Sequence, residues 1–265
     1  ILMFHILYQV DAFTDEPFKG NPAGVCLLQA PESDGWMQAL AAEMNLSETA
    51  YLLPVEDGWQ LRWFTPKTEV DLCGHATLAS AKVLFESQPE LQDRAISFQT
   101  RSGMLQARWI NGRIELDFPA MAYQPITVPH IVVEVLGFTP IGAVRSGNYY
   151  LFEAMDAQLV REAKPNIGEL EKLPYPEVMI TAQTPDEGYD FISRFFAPQL
   201  GVDEDPVTGS AHCLLTPYWA EKLGKKDLSA FQASERGGDL YLRLVGDRVR
   251  IAGDARIIFK AELWI

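Results

Sequence analysis

Arg62-Trp63-Phe64-Thr65-Pro66 and Arg194-Phe195-Phe196-Ala197-Pro198 lie 132 residues apart, the clearest of several ordered matches between the two halves of this 265-residue chain. Gly20-Asn21 recurs as Gly147-Asn148, Gly74 as Gly209, and Arg113-Ile114 as Arg248-Val249, at offsets of 127, 135 and 135. An offset that drifts in one direction is what a duplication with small loop insertions leaves, whereas chance matches scatter in order and spacing. The chain is therefore expected to build one supersecondary unit twice.

The halves also read alike in local pattern. In the first, 25–28 is a short apolar strand, and Ser33 and Asp34 cap a helix whose Trp36, Met37, Leu40, Ala41 and Met44 recur at helical spacing. Strands 49–55 and 60–64 surround the Asp57-Gly58 turn, a helix covers 75–85, and strands 105–110 and 113–118 flank Asn111-Gly112, a strong hairpin signal. In the second, strands 149–154, 178–182 and 191–196 precede a helix over 210–223, and strands 240–245 and 249–251 flank Gly246-Asp247. Mostly antiparallel sheet with one long helix per half implies an α+β fold of two pseudo-symmetric lobes, each a strongly curved sheet around a central helix. A small-molecule site is expected in the cleft between them. The Pro-rich segment 118–129 sets the lobes at residues 1–122 and 123–265, with the last strand free to return to the first lobe.

Thirty-six acidic against twenty-two basic residues give a net charge of −14, which repels phosphate backbones and anionic lipid, so neither nucleic acid nor a membrane is an expected partner. Three cysteines, Cys26, Cys73 and Cys213, are too few and odd in number for a disulfide framework, which points to a reducing, cytoplasmic setting. Residues 1–10 are apolar but lack a basic flank and a small-residue cleavage site; they read as a strand rather than a signal peptide, with Met3 as the natural start. No apolar run reaches the ~20 residues that span a bilayer.

Two glycines stand at the starts of Ala- and Leu-rich helices, in Asp71-Leu72-Cys73-Gly74-His75-Ala76-Thr77 and in Asp203-Glu204-Asp205-Pro206-Val207-Thr208-Gly209-Ser210-Ala211-His212. Unsatisfied N–H groups and the positive end of the helix dipole can hold an anion there. Net charge does not forbid this, because salt screens distant charges within ~8 Å. Gly74 and Gly209 equally suit close helix packing, and 203–205 equally reads as a solvated capping cluster. His212, one turn into its helix, reads as structural, His5 and His130 as core or surface, and Cys26 as core. A zinc site from Cys73, His75, His212 and Cys213 follows no known ligand spacing, and no Gly-x-Ser-x-Gly, Gly-x-Gly-x-x-Gly, P-loop or His-Glu-x-x-His occurs.

Taken in order, Val10-Asp11-Ala12-Phe13-Thr14 with Gly20-Asn21-Pro22-Ala23-Gly24-Val25, Leu46-Ser47-Glu48-Thr49-Ala50, Phe64-Thr65-Pro66 with Cys73-Gly74-His75-Ala76-Thr77, and 204–212 resemble the phenazine-biosynthesis PhzF-like isomerases over nearly the whole chain. The resemblance implies the diaminopimelate epimerase-like fold, which agrees with the repeat. It also implies a cofactor-independent isomerase, with no metal, that moves a proton between carbons of a small carboxylate, and a homodimer. Glu48 would be the acid/base, with His75 and Asp205 also catalytic and Ser47, Gly74, Gly209 and Ser210 binding substrate. On its own, Glu48 reads as a solvated residue at a strand start; apolar Leu46, Ala50 and Tyr51 nearby would help raise its pKa. Racemases and epimerases of this fold place a thiol before each helix-starting glycine; here Cys73 holds the first place and Thr208 the second, which disfavours a two-thiol racemase and implies that Cys73 is a spectator. The alternative is a small-anion binding or protein-interaction module that kept the fold without turnover.

Overall fold

Parallel strand pairs mark the places where each copy of the repeat crosses over a helix. The computed structural model describes residues 5–184 and 188–264. Contacts divide the chain into two units, Ile1–Phe118 with Ile251–Ile265, and Pro119–Arg250.

The first unit runs β1 (Ile6–Ala12), β2 (Asn21–Leu27), α1 (Asp34–Met44), β3 (Glu48–Val55), β4 (Gly58–Phe64), β5 (Glu69–Val70), α2 (Gly74–Ser87), β6 (Ile96–Thr100), β7 (Gly103–Ile110) and β8 (Arg113–Pro119). β1 pairs antiparallel with β2, and β2 pairs parallel with β3 across the α1 crossover. β3 and β4 form a hairpin, and β4 pairs parallel with β6 across the α2 crossover before β6, β7 and β8 continue antiparallel. α1 starts where the Ser33 hydroxyl accepts the Trp36 N–H and stops at Asn45 in the left-handed region; it buries Met37, Leu40 and Ala41. α2 is different in kind. Its Ala76, Leu78, Ala79, Ala81, Val83, Leu84 and Phe85 are all buried, the mark of a helix covered on every side. Thr77 and Ser80 are tolerated inside it because their hydroxyls donate to the Cys73 and Ala76 carbonyls. Asn111 and Gly112, at φ 52° and 84°, supply the two positive φ values that a tight hairpin between β7 and β8 requires.

The second unit runs β9 (Gln124–Pro125), α3 (His130–Leu136), β10 (Gly142–Ser146), β11 (Tyr149–Glu153), α4 (Ala157–Glu162), α5 (Ile167–Leu170), β12 (Glu177–Gln183), β13 (Phe191–Ala197), β14 (Val202–Asp205), α6 (Gly209–Leu223), β15 (Asp227–Gln232) and β16 (Gly238–Val245). β17 (Arg248–Gly253) carries the chain back to the first unit, within which β18 (Ala255–Glu262) pairs antiparallel with β1. The pairing scheme repeats that of the first unit: β11 and β12 are parallel across α4 and α5, β12 and β13 antiparallel, and β13 and β15 parallel across α6. α6 is, like α2, buried along most of its length. Pro217 lies inside it and has no N–H for the Cys213 carbonyl; the Met121 backbone N–H donates to that carbonyl instead, at 2.9 Å. An apolar cluster including Val132, Leu136, Phe152, Ile180, Ile192 and Phe196 forms this unit's core.

The fold is α+β, as the sequence implies, and the repeat survives down to single side chains. Arg62 forks onto both Glu69 oxygens at 2.7 Å, and Arg194 onto both Glu204 oxygens at 2.7 and 2.8 Å. Each guanidinium also lies 5.1 Å over a ring two residues on, Phe64 and Phe196. The same contact corrects the capping-cluster reading of 203–205: Val202–Asp205 is strand β14, and Glu204 is turned to Arg194 rather than to the helix. Three helices, α3, α4 and α5, and several strands, among them β6, β15 and β18, were not expected from the sequence, while the reading of a strand over 1–10 lies partly outside the described residues.

Gly20 sits at φ +64°, and a Cβ there would stand 2.2 Å from the Ala12 carbonyl oxygen. Gly20→Ala is therefore expected to lower stability by ~1–3 kcal/mol. A urea midpoint equal to that of the parent, at equal m, would show that this turn relaxes freely.

Candidate functional site

Glu48 is the first residue of β3, and the parallel register sets it opposite Ala23, just after the Gly20-Asn21-Pro22 stretch. Its side chain is about one-fifth exposed, with 19% of its surface accessible. His75 is the second residue of α2, and Cys73 is that helix's N-cap in extended backbone. The Glu48 Oε2 lies 3.2 Å from His75 Nε2, close but not aligned as a hydrogen bond, and the Cys73 Sγ lies 3.5 Å from His75 Nδ1. Burial pushes the His75 imidazole down to about 3. At neutral pH the ring is therefore uncharged, one nitrogen carrying a proton and the other a lone pair. The contact with Glu48 is thus carboxyl to neutral imidazole, not an ion pair. Ser47, directly before Glu48, and Gly74, between Cys73 and His75, are half-buried.

The second unit carries the repeat's counterpart. Asp205 ends β14, and the Thr208 hydroxyl donates to its Oδ2 at 2.5 Å. Buried Gln232, the last residue of β15, braces the turn: its Nε2 donates to the Asp205 carbonyl at 2.8 Å and to the Thr208 hydroxyl oxygen at 3.1 Å, and its Oε1 accepts the Thr208 N–H at 2.8 Å. The Thr208 hydroxyl, turned to Asp205 and Gln232, makes no cap hydrogen bond to α6. Neither α2 nor α6 has a side-chain cap, whereas α1, α4 and α5 are capped by Ser33, Asp156 and Asn166. The first-turn N–H groups at Gly74-His75 and Gly209-Ser210 are accordingly left for other acceptors. Ser210 donates to the Tyr149 hydroxyl, which donates to Glu177; burial raises the pKa of both the phenol and that carboxyl.

Of the residues singled out in the sequence, Glu48, His75 and Cys73 meet in the first unit, and Asp205, Gly209 and Ser210 cluster in the second. His212 is fully buried, with Nδ1 2.8 Å from the Thr208 carbonyl and its ring stacked on Phe191. His5 is buried against Glu32, and His130 lies exposed beside Glu134. Cys26 is in the core, its thiol pushed up to about 12 by burial. Sequence reasoning missed Gln232, Tyr149 and Glu177. Tyr149 had a signal, since it directly follows Gly147-Asn148, the mate of Gly20-Asn21. Gln232 had none.

A family model described as phenazine biosynthesis-like protein matches residues 10–261. An uncharacterized isomerase of Halalkalibacterium halodurans is 49% identical over 258 residues, 97% of each chain. The mouse phenazine biosynthesis-like domain-containing protein 2 is 41% identical over 97% of this chain and 98% of its own. The crystal structure of a PhzF-family phenazine biosynthesis protein from Enterococcus faecalis superposes with a TM-score of 0.95 at 39% identity, covering 99% of this chain and 100% of that one.

Proposed function

Since the chain belongs to the phenazine biosynthesis-like family, we propose that it is a cofactor-independent isomerase that moves a proton between two carbons of a small carboxylate, with Glu48 as the acid/base. Relatives named as isomerases support the general class. The observation that carries the finer reading is the Glu48–His75 pair. A partly exposed carboxyl stands beside an imidazole that burial keeps neutral, so the base is not tied up in an ion pair with His75. Glu48 takes a proton from a carbon next to a carbon–carbon double bond of an unsaturated carboxylate, the electron pair left behind becomes the new double bond as the old one shifts, and the same carboxyl returns the proton to the carbon at the far end of that system. One group in both roles conserves the proton, provided water is excluded. His75 would donate its N–H to a substrate oxygen. Asp205, with Gly209 and Ser210, is proposed to hold substrate on the strength of the family motif, and Ser47 and Gly74 likewise.

Incorporation of solvent deuterium into candidate amino- or hydroxy-substituted carboxylates tests this reading. No exchange in any compound that binds tightly would favour a binding module. A second expectation concerns the uncapped helix starts: titration with acetate, sulfate or phosphate should shift the amide resonances of Gly74, His75, Gly209 and Ser210, a local attraction of about 0.3–1 kcal/mol and up to ~2 where buried. Shifts confined to surface lysines would count against it.

A further inference from the structure

We propose that Glu48, Cys73 and His75 together hold a thiophilic divalent cation such as Zn2+, and that this occupancy switches the protein off. The group supplies one sulfur, one nitrogen and one oxygen ligand, all within 4.8 Å of one another, and it is the one such trio among the described residues. Cys73 is 7% and His75 5% exposed, so two of the three ligands are held inside the fold rather than on its surface. Both sit at the start of α2, where the Cys73 carbonyl is fixed by the Thr77 N–H and hydroxyl. Zinc bonds of about 2.3 Å to sulfur and 2.0–2.1 Å to nitrogen, set tetrahedrally, put those two atoms roughly 3.5 Å apart. The Cys73 Sγ to His75 Nδ1 distance is 3.5 Å. The Glu48 Oε2 stands at the other ring nitrogen, 3.2 Å from Nε2, so this partly enclosed side chain has to turn toward Nδ1 to complete the set, within the 4.8 Å that spans the three ligand atoms. Three protein ligands leave a fourth position for water, the pattern of an open rather than a sealed zinc site.

Binding involves no redox change: the thiol releases its proton to solvent, and thiolate, imidazole and carboxylate each donate a lone pair to the cation. A Glu48 turned onto a metal ion is a weaker base and no longer faces the substrate carbon, so occupancy opposes proton transfer. That consequence rests on the function proposed above; the binding itself does not.

Co2+ is the probe. Added to the reduced full-length protein, it should give a thiolate-to-cobalt charge-transfer absorption that saturates at one ion per chain and disappears on addition of Zn2+. Cys73→Ser should abolish the band and weaken cobalt binding on the order of 100-fold. No band in the parent protein at millimolar Co2+, or an equal band in Cys73→Ser, overturns the site. Should Cys73→Ser fail to fold, His75→Gln must raise the cobalt dissociation constant by about tenfold or more; an unchanged constant overturns the site as well. Zn2+ should stop deuterium exchange with the midpoint at which it displaces Co2+, and exchange that persists in zinc-loaded protein overturns the switch. Because the band is read without substrate, a Glu48→Gln protein that still exchanges protons would sink the functional reading by itself.

Discussion

Glu48→Gln should abolish proton exchange, a fall of at least ~10²–10⁴ in rate, because glutamine keeps the shape and hydrogen-bonding reach of the side chain and removes the ionisable carboxyl. Binding of small anions at the α2 and α6 starts should persist, and stability should stay within about 0.5 kcal/mol, since a partly exposed carboxyl at the head of a strand packs little of the core. Cys73→Ser is the comparison. Its hydroxyl still offers His75 Nδ1 a donor, so the loss should be that of a weakened neutral hydrogen bond, ~0.5–1.5 kcal/mol or up to about tenfold. A fully active Glu48→Gln protein beside a dead Cys73→Ser protein would replace the carboxyl mechanism with a thiol one and leave the fold untouched.

Acid should unfold the protein through its buried imidazoles. Burial pushes His75 down to about 3 and His212 to about 4, against ~6.5 for an unfolded histidine. Both folded values lie below the unfolded one, so over that window the unfolded chain binds more protons. Stability is fully present above about pH 6.5 and drains away as pH falls toward 3–4. By pH 5 each histidine has removed ~2 kcal/mol, ~4 together, a large part of the ~5–15 kcal/mol of an ordinary domain. His212 is the sharper case, since its Nδ1 already faces the Thr208 carbonyl while its buried Nε2 has no hydrogen-bond partner, so charging the ring would bury an unpaired N–H. Urea midpoints at pH 7.5 and pH 5 should differ by this amount in the parent, and by ~2 kcal/mol less in His212→Gln. An equal pH dependence in the two proteins would remove His212 from the account.

Much of this architecture is written in short-range signals. Ser33 and Asn45 bracket α1 with chemistry that acts within four residues, and Asn111-Gly112 dictates its hairpin through two positive φ values. The Arg62 and Arg194 matches point to a duplication because each arginine needs the same two partners, a carboxylate to fork onto and a ring to lie over, in each copy. The candidate site was legible only in part. Glu48 drew attention through its resemblance to a known motif, for nothing in Leu46-Ser47-Glu48-Thr49 distinguishes a base from a solvated acid.

By itself, then, the sequence determined that one α+β unit is built twice, where the two long buried helices begin, and that a glycine opens each. Tertiary structure alone decided that Glu48, Cys73 and His75 share one small volume, that Glu204 serves Arg194 rather than a helix end, and that Gln232 braces the turn carrying Asp205 and Thr208. The reason is the range of the forces involved. Caps, turns and helical periodicity are settled by neighbours within a few residues, whereas β2 with β3, β4 with β6 and β13 with β15 are parallel pairs that close only across an intervening helix, and the burial that keeps His75 neutral exists only once they have closed.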